Sequence, residues 1–250
     1  MTGLVKIDVR RMVFPVIAGH PSPEGFRRTG VAGTGFFIGK RGLALTAAHV
    51  MTNLASGSEL RVALPVHEGR SPMTAYEIAW SVCLPGSDIA VMRVGVAEAA
   101  CFPLAFDSLA SGQDVETTAV AMSLSETDAS GRTRVALRCA KGYVSHGGLG
   151  WIAASFALPK GMSGAPLIAN IGADEFVTGV FVGQMRGEEI EDLVEEVVDA
   201  GPGERRTHTE RVARVEYFAR GELLQPHKDF SSPAFEGLPF WELVRRDVAD

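Results

Sequence analysis

From Thr34 to Val50 the chain reads TGFFIGKRGLALTAAHV, two short apolar runs broken by Lys40-Arg41-Gly42. That pattern predicts two strands and a tight hairpin, with His49 where the second strand ends. Further apolar runs predict strands over Leu60 to Pro65, Ala75 to Val82, Ile89 to Val94, Val115 to Met122 and Arg134 to Ser145. Trp151 to Phe156, Pro166 to Ala169 and Phe176 to Met185 complete the series. Turn residues separate these runs at intervals of about ten, the rhythm of an all-β sandwich or barrel.

The pattern changes after Gly187. Glu188 to Ala200, EEIEDLVEEVVDA, sets Ile190, Leu193, Val194, Val197 and Val198 at helical spacing, with seven acidic residues on the remaining positions. This predicts an amphipathic helix ended by Gly201-Pro202-Gly203. A second helix is predicted over about Thr209 to Ala219, with Val212, Val215 and Phe218 on one face. From Leu224 the chain is rich in proline and aromatic residues, and it closes on a helical pattern, WELVRRDVA. The expected division is a main domain over residues 1–222, carrying the acidic helix at about 188–200 as an insertion, and a C-terminal tail over 223–250.

Composition supports a mostly β protein. With 46% hydrophobic residues in 250 the chain can bury a substantial core, and its 28 glycines and 13 prolines are spread along the sequence, as short elements joined by turns require. A net charge of −6 and a pI near 5.6 argue against nucleic acid as a partner, since phosphate binding needs a basic face and no dense Lys/Arg run occurs. Cys83, Cys101 and Cys139 are odd in number and match neither zinc nor CxxC spacing, so they read as buried thiols in a reducing compartment. No segment has the order of a secretory signal or the length of a membrane helix, so no membrane association is expected and the cytoplasm is the expected location. No histidine shows metal-ligand spacing, and neither metal nor cofactor is expected.

Three stretches carry candidate chemistry: Leu45-Thr46-Ala47-Ala48-His49-Val50, Ser87-Asp88-Ile89-Ala90-Val91-Met92 and Gly161-Met162-Ser163-Gly164-Ala165-Pro166. Each alone has an ordinary explanation: a structural histidine, a turn-forming aspartate, a tight serine turn. Together they meet one chemical need. A serine hydroxyl is a poor nucleophile until an imidazole takes its proton. The imidazole must then be held in one tautomer by a carboxylate. Glycine beside the serine lets the N–H groups of Gly161 and Ser163 converge on one spot, where an oxyanion would be stabilised. The order His, Asp, Ser and the lack of alternating helices separate the chain from doubly wound hydrolases, which place the serine first.

In these features the chain resembles the trypsin-like, chymotrypsin-fold serine peptidases over about residues 13–220. The resemblance rests on GTGFFI, TAAH, DIAVMRV and GMSGAPL followed by VTGVFVG, all in family order. Asp107-Ser108-Leu109-Ala110-Ser111-Gly112-Gln113-Asp114-Val115 and Lys141-Gly142-Tyr143-Val144-Ser145 are similar to segments of the bacterial HtrA-type branch, here without a PDZ domain. The resemblance implies two six-stranded antiparallel β-barrels with the site between them, to which the helical spacing adds the C-terminal helices. It implies His49 as general base, Asp88 as its orienting carboxylate, Ser163 as nucleophile, and Gly161 with Ser163 as the oxyanion hole. Met162 stands where secreted digestive proteases carry an aspartate, so activation by N-terminal cleavage is not implied. Ala165 replaces a usual glycine.

By the same resemblance Ala157, six residues before the serine, lies at the floor of the pocket for the side chain preceding the scissile bond. Val182, Gly183 and Gln184 form its wall. No carboxylate at the floor favours Lys or Arg, so a small or apolar side chain is expected there. The expected activity is that of a serine endopeptidase acting on proteins or peptides. Two other readings stand beside it: a partner-activated effector protease of a stress or defence system, and a catalytically silent binding protein. Phe230, Phe235, Phe240 and Trp241 either pack the tail on the barrels or dock a regulatory protein.

Overall fold

A computed structural model of the chain describes residues 9–23, 25–67, 70–127, 133–199 and 205–249. Among the described residues, twelve strands close into two antiparallel barrels of six. The first contains β1 (Val13–Ser22), β2 (Gly25–Phe37), β3 (Leu43–Ala47), β4 (Glu59–His67), β5 (Arg70–Cys83) and β6 (Ile89–Val94), in the spatial order β1-β2-β3-β6-β5-β4. The second contains β7 (Asp114–Thr127), β8 (Thr133–Gly148), β9 (Trp151–Ala154), β10 (Ala165–Ile171), β11 (Asp174–Asp199) and β12 (Arg205–Leu223), in the order β10-β11-β12-β9-β8-β7.

The continuous apolar runs have a packing cause. All five residues of β3 are buried, as are the first five of β10, because neither strand has a face left to solvent. Phe14, Phe36, Leu45 and Val91 of the first barrel belong to one apolar cluster with Ile168, Val177, Val180 and Val182 of the second. The barrels thus share a hydrophobic seam, and the loops at its rim are held in a fixed relation. Strand β1 lies outside the strands expected from pattern. Pro15 sits within it, and its register with β2 shifts after Val16 and again after Ala18, which breaks the alternation a half-buried strand would show.

Two expected helices are strands. Glu188 to Asp199 continues β11, and Thr209 to Ala219 lies within β12; the two pair as one long hairpin from Gly179↔Leu223 to Asp199↔Arg205. The helical spacing of Ile190, Leu193, Val194, Val197 and Val198 is real, but β-branched residues favour extended backbone, and β12 supplies Thr207, Thr209, Val212 and Val215 to match. The register also sets Glu189 opposite Arg214, Glu196 opposite His208 and Asp199 opposite Arg205. The expected helix stop at Gly201-Pro202-Gly203 lies outside the described residues.

The closing helix is present as α2 (Phe240–Ala249), preceded by single 3-10 turns at Gln225–His227 and Pro233–Phe235. This tail packs on the first barrel. Phe235 and Phe240 are fully buried, Phe235 lies 5.8 Å from Trp80 between ring centroids, and Phe240 lies 5.7 Å from Phe106. Phe230 packs edge-on against Phe235, while Trp241 stays exposed. Asp247 is 1% exposed and is gripped by Arg93 and by the backbone N–H and guanidinium of Arg41. The cysteines depart from expectation. Cys83 and Cys139 are exposed, Cys101 is half-buried, and all three are free. Both exposed thiols sit on strand positions that face outward, a consequence of alternation that residue type alone does not reveal. No helix among the described residues is long and apolar enough to cross a membrane.

Candidate active site

Strand register brings the first two candidate residues together. Ala47, the last residue of β3, pairs with Ile89, the first of β6, so the positions just outside the ladder, Ala48-His49 and Asp88, meet side by side. The Ala48 N–H donates to the Asp88 carbonyl at 2.9 Å. His49 stands in the first turn of a short helix, α1 (Ala48–Thr52), one step beyond the strand end expected from pattern. The Asp88 carboxylate holds it twice: Oδ1 accepts from the His49 backbone N–H at 2.8 Å, and Oδ2 lies 2.6 Å from Nδ1. An ionised carboxylate only accepts, so Nδ1 carries the proton and the neutral ring leaves Nε2 as its basic nitrogen.

The ionisation of Asp88 agrees with that assignment. Partial burial pushes its carboxyl up, but the hydrogen bonds from the His49 ring and backbone, with the positive charge of Arg220 nearby, outweigh burial, so the pKa falls below the ordinary aspartate value.

Ser163 lies in the turn that enters β10. Gly161 takes φ +92° and Gly164 φ +91°, a region where side chains are strained. Gly164 is also required for close approach. A Cβ there would lie 2.0 Å from the Thr34 carbonyl oxygen and 2.4 Å from Thr46 Oγ1. Its N–H donates to Phe181 O at 2.7 Å, and Met162 is fully buried beneath the turn. The serine turn is therefore pressed against the end of β3, two residues before His49. No hydrogen bond joins Ser163 Oγ to His49 among the described residues; in resting hydrolases this contact is often loose and tightens when substrate binds.

The backbone around the serine is selectively unsatisfied. The N–H groups of Met162, Gly164 and Ala165 donate to Pro159, Phe181 and Met162 carbonyls. Those of Gly161 and Ser163 have no partner among the described residues. Two unpaired donors one residue apart suit a developing negative charge.

Val182, Gly183 and Gln184 line an open cleft of about 480 Å³ together with Asp88, Arg220 and Glu222. Ala157 is exposed on the loop before the serine turn and does not line this cleft. No group of three metal-ligating side chains occurs among the described residues.

Residue pattern alone did not single out Thr34, which ties the two barrels together at the site. Its N–H donates to Ser163 O at 2.8 Å and its hydroxyl to Gly161 O at 2.7 Å. The same hydroxyl accepts from Val120 N at 3.1 Å, and its carbonyl accepts from Thr46 Oγ1 at 2.7 Å. Its signal was a hydroxyl within an apolar strand: Thr34 and Thr46 are both fully buried, and buried polar groups need partners.

A family model described as a trypsin-like peptidase domain matches residues 33–180, more than half of the chain. The chain belongs to the trypsin-like peptidase family. The peptidase is a hydrolase of the serine endopeptidase class. The matched span includes Thr34, His49, Asp88, Gly161 and Ser163, and ends before Val182 and Arg220. Among solved structures the peptidase is similar to neuropsin, a serine protease expressed in the limbic system of mouse brain. The TM-score is 0.54 at 16% identity, over 87% of this chain and 91% of that one, a likeness that establishes the chymotrypsin-like fold. No curated protein matches the peptidase in sequence.

Proposed function

We propose that the chain hydrolyses peptide bonds through an acyl-enzyme on Ser163. The carrying observation is the double grip of Asp88 on His49, by ring and backbone together, which leaves Nε2 as the nitrogen free to act as base. In this reading Ser163 Oγ attacks the substrate carbonyl carbon and its proton passes to His49 Nε2. The resulting imidazolium is stabilised by Asp88. The carbonyl oxygen becomes an oxyanion between the Gly161 and Ser163 N–H groups, each contributing roughly 3 kcal/mol in comparable sites. Collapse expels the amine, which takes the proton from His49. Water then attacks the acyl group, gives its proton to His49, and Ser163 is regenerated.

An extended substrate would lie along Val182–Gln184 and turn the side chain before the scissile bond out of the cleft those residues line, toward the loop that exposes Ala157. With alanine at that position, a small or apolar residue is the preferred occupant, and Lys or Arg has no carboxylate to meet there. The test is covalent. A fluorophosphonate should add one equivalent to Ser163, located by peptide mass spectrometry, with no adduct on Ser163→Ala. Failure of the folded wild type to react under any condition would contradict the reading.

A further inference from the structure

The cleft beside Asp88 holds an arginine whose charge helps keep Asp88 ionised but whose guanidinium donors the peptide-hydrolysis scheme does not use. Arg220, on β12, is the cross-strand partner of Gly183 on β11, so its side chain and the missing side chain of Gly183 belong to one face of the hairpin. A Cβ at Gly183 would meet no atom within 4 Å, so the space over the arginine is open. Below, Glu222 is 6% exposed and accepts from Arg220 Nη2 at 2.6 Å. The Arg220 side chain is half exposed, and no second hydrogen bond of its guanidinium occurs among the described residues. A guanidinium has five N–H donors in a planar fork. Glu222 thus anchors one corner and leaves the remaining donors toward the cleft.

Topology places this fork relative to substrate. β10 pairs with β11 only as far as Ala165↔Phe181, so from Val182 onward the edge of β11 away from β12 is unpaired among the described residues. A peptide added there would continue the place of β10 in the sheet, with its scissile bond toward Ser163 and its upstream residues over Gly183 and Arg220.

We propose that Arg220 is a specificity-determining residue that selects substrates with Asp or Glu upstream of the residue that faces Ala157. The proposal rests on the peptidase reading and adds a substrate class to it. A carboxylate would complete a guanidinium already oriented by Glu222, a charge-assisted pairing that a neutral amide cannot match.

The test uses acetylated positional peptide pools, each with one upstream position fixed as Glu or as Gln, cleaved by the full chain and read by mass spectrometry. At one upstream position the Glu pool should be cleaved at least tenfold faster than the Gln pool. In Arg220→Gln/Glu222→Gln, which leaves no orphaned buried carboxylate, that ratio should fall to about one in whatever cleavage remains, whether or not the loss of the Arg220 charge beside Asp88 also slows the overall rate. Equal rates in wild type, or an unchanged ratio in the double variant, would overturn the role of Arg220 and leave the peptidase reading intact. Should no pool be cleaved, the peptidase reading fails by itself. Retention of the same pools on immobilised Ser163→Ala needs no turnover, and equal retention of Glu and Gln pools would overturn the Arg220 proposal.

Discussion

The backbone N–H of Thr34, in the first barrel, donates to the carbonyl of Ser163, in the second, at 2.8 Å. The nucleophile turn is thereby positioned by a strand of the opposite barrel, and the Thr34 hydroxyl adds Gly161 and Val120 to the same node. Thr34→Val should lower kcat/KM by about 10- to 100-fold, the usual effect of displacing a reacting group slightly. Leaving the buried Val120 N–H unpaired should also lower stability by about 1–3 kcal/mol. Thr34→Ser keeps the hydroxyl and should restore most activity. A wild-type rate in Thr34→Val would show that the node does not position the serine.

Asp88→Asn tests the tautomer argument. An amide can donate to Nδ1, which would move the ring proton to Nε2 and disable the base, so turnover should fall about 10⁴-fold at neutral pH. Steady-state kinetics with equal folded protein would measure it, and a loss under tenfold would contradict the assigned role.

The same carboxylate ties stability to acid. Its pKa is depressed in the folded state, so its contribution is fully present above the ordinary aspartate value near 3.9 and is lost as pH falls through the folded value. Urea unfolding between pH 5 and 3 should therefore show a shallower loss in Asp88→Asn than in wild type. Parallel curves would show that Asp88 is not stabilised in its charged form.

His227 should act at higher pH. Burial in the tail depresses its folded pKa below 6.5, so the unfolded chain takes up a proton first and stability declines as pH drops through about 6.5 toward the folded value. Urea midpoints from pH 7.5 to 5 should fall less in His227→Gln than in wild type. An equal fall in both would remove His227 from the pH response.

Asp247 anchors α2 to the first barrel through Arg41 and Arg93. Asp247→Ala removes the buried carboxylate that both arginines share, while each keeps a backbone carbonyl partner and some access to water, so stability should fall by about 1–3 kcal/mol. Thermal unfolding would register this as a drop of roughly 2–12 °C in a domain of this size. A drop under 2 °C would mean that the tail is held by Phe235 and Phe240 alone.

Much of this was legible in local pattern. The apolar run predicts Ile89–Val94 with its observed bounds, and flanking residues alone mark His49, Asp88 and Ser163 as candidates. Chemistry at a site depends on short motifs, and short motifs survive in one dimension. The long hairpin was not legible, because Glu188 to Ala200 satisfies a 3.6-residue period as well as a strand and its pairing partner lies beyond the turn. Thr34 and Arg220 were missed for a related reason. Each acts through residues distant in sequence, Ser163 and Val120 for one and Gly183 across the hairpin for the other.

The most direct measurement is the appearance of new peptide termini when the purified chain is incubated with a proteome-derived peptide library. Wild type should generate new termini that are absent with Ser163→Ala and with His49→Ala, both shown to be folded by thermal unfolding. No new termini from folded, fluorophosphonate-reactive wild type, or equal cleavage by Ser163→Ala, would contradict hydrolysis through Ser163.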